Sequence, residues 1–146
     1  MTKILEFSLG DGDRARLKLR ISGRERPDFT GGDDRNWLQA TVEVRSGRMA
    51  GAIACSLRTE DIGDFRSGLA RMTDADDVSG EFKTMEDRLA IKVERGGSGS
   101  LTVTGHISEQ PDGDGLSFRF TTAADGIPNM LKDLDEILDE YPIAES

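Results

Sequence analysis

The side chains with the most chemical potential in this chain are few. His106 is the only histidine, set in Leu101-Thr102-Val103-Thr104-Gly105-His106-Ile107, where strand-like alternation puts its imidazole on the Thr102 and Thr104 side. A general base needs a second group to orient it, and no acid–base constellation accompanies this histidine. It reads as a surface residue. Cys55 is the only cysteine, flanked by Ala54 and Ser56 in an apolar strand. Reactive thiols need an electropositive, accessible setting, so Cys55 reads as structural. One histidine and one cysteine do not make a usual zinc set, and no metal or cofactor is expected.

Two glycine- and acid-rich segments invite comparison with known sites. Gly96-Gly97-Ser98-Gly99-Ser100 approaches a nucleophile elbow, but that motif needs glycine where Ser100 stands and a helix after it. Here strands flank the segment, and a hairpin turn is the better reading; the lysine of a phosphate-binding loop is also missing. In a calcium loop counted from Asp74, Asp76 fills the third position, but Ser79 takes the glycine position and Met85 the final glutamate position. Counting from Asp112 puts Leu116 at position five and Ala123 at position twelve. Both stretches read as solvated turns, leaving at most a weak divalent site.

Carboxylates gather instead on the last helical stretch. Between Asp125 and Ser146 there are seven acids against Lys132 alone. At helical spacing, Asp133, Glu136 and Glu140 share one line, and Asp135 and Asp139 another. Acids in the last turns oppose the helix dipole and cost a few tenths of a kcal/mol each. Helix stability does not explain them. A docking surface for a basic partner does, because such charge speeds association; solubility alone is the competing account.

Those side chains are positioned by a regular succession of elements. Leu5, Phe7 and Leu9 alternate with Glu6 and Ser8, and Leu17, Leu19 and Ile21 alternate with Arg16, Lys18 and Arg20: a hairpin with one wet face. Gly23 to Asp34, with Pro27, Gly31 and Gly32 among charges, is expected as an exposed loop and is an alternative contact site. Trp37, Leu38, Ala40, Val42 and Val44 make a third strand, with Trp37 read as a core anchor and an exposed recognition aromatic as the alternative. After a turn at Ser46-Gly47, Met49 to Leu57 carries Ile53, Cys55 and Leu57 on one face and Ala50, Ala52 and Ala54 on the other; the small face is expected to lie under a helix. Thr59 is expected to cap a helix carrying Ile62, Phe65, Leu69 and Met72. Four further strands are expected at 81–84, 88–94, 100–108 and 116–121, joined by hairpins. A final helix follows from Asp125-Pro128, with an apolar stripe of Ile127, Met130, Leu134, Ile137 and Tyr141.

Length and composition set the bounds. A chain of 146 residues suits one domain, 1–146, and buries roughly 68–70% of its unfolded surface. The formal net charge is −9, a sign that repels nucleic acid and anionic membrane, so both are excluded as partners on this reading. Charge is uneven: seven bases stand against four acids between Lys3 and Arg26. The first apolar run is too short for a signal peptide and is broken by Glu6, and no stretch approaches a membrane span. The expected location is cytoplasmic.

Asn36-Trp37-Leu38, the alternating Val42 and Val44, Gly51 and Leu57, Phe65 and Leu69, Glu86 before Leu89, Gly105, Leu116-Phe118-Phe120 and the closing Tyr141-Pro142 together resemble the WapI-type family of small bacterial immunity proteins and related domains of unknown function. The resemblance implies a non-enzymatic cytoplasmic antidote that binds a cognate toxin domain, often a nuclease. The combined expectation is an α+β domain, an antiparallel sheet or sandwich of about eight strands with two packed helices. Its partner is a basic protein, a toxin domain in the preferred reading, met by Asp133, Asp135, Glu136, Asp139 and Glu140. A homo-oligomeric assembly module is the alternative function.

Overall fold

The computed structural model describes residues 4–11, 14–24, 37–73, 79–83, 88–96, 99–109 and 115–142. The stretches counted for calcium from Asp74 and Asp112, nearly all of the expected Gly23–Asp34 loop, Asn36 and Glu86 lie outside these residues. Eight strands and two helices follow the order ββββα twice. In the first half β1 (Leu5–Asp11), β2 (Ala15–Arg24), β3 (Trp37–Ser46) and β4 (Met49–Arg58) form one antiparallel sheet in sequential order, followed by α1 (Thr59–Thr73). In the second half β5 (Ser79–Lys83), β6 (Leu89–Arg95), β7 (Ser100–Ser108) and β8 (Gly115–Ala123) form a second sheet in the same way. A short 3-10 turn, Ala124–Gly126, leads into α2 (Ile127–Glu140).

Strand alternation sends one side of each sheet into a shared core. Leu17, Leu19 and Ile21 pair with Val44, Val42 and Ala40, and all six are buried. Val93, Val103 and Phe120 line up across the second sheet in the same manner. The helices close the core: Phe65 of α1 meets Phe7 of β1 edge-on at 5.6 Å and Phe82 of β5 at 5.5 Å. Such pairs contribute about 0.5–1.5 kcal/mol each beyond their burial. One aromatic ring on α1 therefore joins the two sheets.

Geometry requires glycine at several places, Gly47 and Gly105 among them. Gly47, with φ of +63°, opens the β3–β4 turn, and its N–H donates to the carbonyl of Arg14 at 2.8 Å. Gly105 lies where a Cβ would stand 2.2 Å from the carbonyl oxygen of Ala90 and 2.8 Å from the Phe118 ring. The segment beginning at Gly96 is a hairpin connection: the Gly96 N–H donates to the carbonyl of Ser100.

Several local expectations are corrected. β2 continues through Gly23 to Arg24, with a register shift between Ile21 and Gly23, so the strand runs further than period-2 alternation alone indicates. Thr59 is the first residue of α1 rather than its cap. The side chain that reaches back is Asp61, which accepts from the N–H of Arg58 at 3.0 Å and from its guanidinium at 3.2 Å. Trp37 opens β3 half-buried, opposite Arg58, rather than in the core. Ala50, Ala52 and Ala54 are exposed, not covered by a helix. The close approach on β4 is made on its other face, where a Cβ at Gly51 would lie 3.2 Å from Leu116.

Candidate protein-binding surface

Helix α2 is built to show one charged face. Pro128 in its first turn suits a position whose N–H would have no helical acceptor. Ile127, Met130, Leu134 and Ile137 are buried, which turns the intervening carboxylates outward. There is no acid in the first turn and no base in the last, so the dipole is uncompensated at both ends.

The five acids have different surroundings. Asp135 is half-buried and accepts from Arg66 of α1, at 2.9 Å to Nε and 3.4 Å to Nη2, which fastens the two helices together. Asp133 is also half-buried and lies over the edge of β1, where the backbone N–H of Ser8 donates to it. Burial, and then the neighbouring Glu136, raise its carboxyl above the usual range; the Ser8 hydrogen bond and Lys132 pull the other way. Glu136, Asp139 and Glu140 are exposed. The helix thus carries an exposed trio flanked by two half-buried carboxylates.

The far end of α2 is held by β2. Arg24 donates to the carbonyl of Pro142 at 2.8 Å and lies 5.7 Å from the Tyr141 ring centre. Burial and then Glu140 raise the phenol's pKa, while Arg24 lowers it.

His106 is exposed on the outer side of β7, opposite Ala90 and Ser117. It lines an open groove of about 730 Å³ with Lys83, Lys92, Thr104 and Glu81. Among the described residues, Glu81 is the carboxylate that lines that groove. Cys55 is buried and forms no disulfide. Among the described residues no group of three or more His, Cys, Asp or Glu side chains could hold a metal ion, and no helix is long and apolar enough to cross a membrane. Sequence reasoning missed the Arg66–Asp135 link. The helical spacing of Arg66 on α1 was its only signal, and spacing does not say which helix faces which.

These features define a twice-repeated ββββα protein whose best candidate site is a charged surface rather than a cleft. The chain belongs to the immunity protein WapI-like family, whose model matches residues 7–142. No curated protein matches it significantly. Among solved structures, the plant transcriptional regulator PBF-2 is similar at 15% identity and a TM-score of 0.56, over 97% of this chain and 83% of that one. WHY1 from Arabidopsis thaliana is similar at 16% identity and a TM-score of 0.55, over 97% and 92%. WHY3 from the same plant gives 16% identity and 0.51, over 94% and 88%.

At these identities the neighbours share the fold alone, yet they correct one expectation. A fold also carried by a plant transcriptional regulator is not one from which nucleic acid can be excluded by a net charge of −9. Net charge is a sum over the whole surface, and what a bound molecule feels within about 10 Å is local.

Proposed function

We propose that this chain is a non-enzymatic immunity protein that neutralises a cognate toxin domain by covering it, with the outer face of α2 as its contact surface. The observation that carries the reading is the exposed trio Glu136, Asp139 and Glu140 beside Asp133 and Asp135, on a helix whose dipole gains nothing from them. Family membership supports the antidote role. Three exposed carboxylates near a helix C-terminus oppose folding slightly and attract a cationic partner strongly, so a partner is the better account of their presence.

The test is kinetic. Glu136→Lys, Asp139→Lys and Glu140→Lys are combined, and association with the cognate toxin domain is followed by stopped-flow fluorescence at rising salt. The expected result is association slowed by roughly tenfold or more at low salt, a flatter salt dependence, and weaker protection of cells from the toxin. Unchanged association would remove α2 from the contact. Asp135 is left intact here because its bond to Arg66 ties α2 to α1, and Asp133 because it is half-buried.

A further inference from the structure

The first sheet turns a second charged face outward, at the end where the β3–β4 turn lies. Arg16 and Arg45 stand directly opposite each other on adjacent strands, with Cβ atoms roughly 4.5–5.5 Å apart. Like charges in that position destabilise a sheet. The turn adds Arg48, and the Gly47 N–H bond to the Arg14 carbonyl brings Arg14 to the same end. Among the described residues, none of these four arginines has a carboxylate within ion-pair distance. The nearby bases differ: Arg20 is paired with Glu6 and Glu43, and Lys18 with Glu6. Glu43 lines a shallow groove of about 340 Å³ with Arg16, Arg45 and the small residues Ala50, Gly51 and Ala52, and it is already held by Arg20.

We propose that this arginine cluster binds the phosphodiester backbone of nucleic acid. Four guanidinium groups that form no ion pair among the described residues match a chain of repeated phosphates, each of which accepts a planar fork of N–H donors. The small side chains of β4 leave the guanidinium groups approachable across an open face. An acidic protein is the other polyanion to consider, including the α2 face of a second copy. Protein hot spots combine aromatic side chains with arginine, and among the described residues the outward face here carries the arginines without an exposed aromatic; Trp37 lies at the opposite end of β3. Nucleic-acid interfaces are flatter in this sense, more polar and more positive. With no base-reading side chain in the cluster, recognition is of the backbone and independent of sequence.

The full chain is titrated into a fluorescein-labelled oligothymidylate of about 20 nucleotides, and into a duplex of the same length, with anisotropy read between 50 and 200 mM salt. Four phosphate contacts predict a slope near 2.8 for the single strand, so affinity falls about 50-fold over that range. Arg16→Ser with Arg45→Ser leaves two contacts and a slope near 1.4, for a fall of about sevenfold. Removing the like-charge pair should leave thermal melting unchanged or raised; should that double variant unfold, Arg48→Ser alone, in the exposed turn, tests the same surface. Absence of binding at 50 mM salt, or unaltered binding by the arginine variants, overturns the proposal. So does a concentration-dependent dimer in sedimentation that the arginine variants abolish while oligonucleotide binding is absent, which would assign the face to a second copy.

Discussion

Phe65 offers the sharpest test of how the two sheets are held together. Its ring is 1% exposed and meets Phe7 from the first sheet and Phe82 from the second, each edge-on. Phe65→Leu keeps most of the buried volume and loses both ring pairs, so about 1–3 kcal/mol of stability should go. Phe65→Ala also leaves a cavity and should cost about 3–5 kcal/mol, a large part of the roughly 5–15 kcal/mol that holds a domain of this size. Urea unfolding followed by circular dichroism measures both, and a displaced midpoint with unchanged slope identifies a true stability change. A double-mutant cycle with Phe7→Leu should return a coupling of about 0.5–1.5 kcal/mol. A Phe65→Leu cost below about 0.5 kcal/mol, or strict additivity in the cycle, would show that the ring only fills space and that the sheets are joined by something else.

Two further outcomes follow from named atoms. Gly105→Ala forces a Cβ against the Ala90 carbonyl, which cannot retreat without breaking the ladder; a loss of about 3 kcal/mol and a Tm roughly 10 °C lower are expected, whereas Gly51→Ala meets the side-chain ends of Leu116 and Ile107 and should be far milder. The raised carboxyl of Asp133 means that the folded chain holds this proton more tightly than the unfolded one, so its contribution to stability falls as pH rises through the ordinary carboxyl value and then the raised one. Asp133→Asn, which still accepts from Ser8, should therefore be more stable than the parent at pH 7 and equal to it near pH 3. A less stable variant at pH 7 would mean that the charged hydrogen bond from Ser8 outweighs the cost of burial.

Much of the architecture can be read from local pattern, and what cannot is long-range. Leu17, Leu19 and Ile21, and again Leu38, Ala40, Val42 and Val44, alternate because each strand has one wet side, and period-2 spacing records that directly. The apolar stripe of α2 does the same at helical spacing. Alternation does not say which face of a strand meets a helix, and the alanine face of β4 is exposed. Nor does it say that eight strands divide at α1 into two sheets of four, since that depends on pairings which no single segment specifies. The acidic face of α2 is legible because its residues belong to one helix. The arginine cluster is not, because Arg14, Arg16, Arg45 and Arg48 become neighbours only through the β2–β3 register and the turn at Gly47.

The docking of α2 against β1, with Ser8 beneath Asp133 and Arg24 holding the carbonyl of Pro142, has a consequence for the order of events during synthesis. α2 follows β1 in the chain with seven strands and α1 between them, so the part of β1 it packs on stays uncovered until α2 has emerged. Closure of the fold and presentation of the acidic face then become a single late step, and a chain cut short before α2 would carry neither a finished core nor the surface proposed to meet its partner.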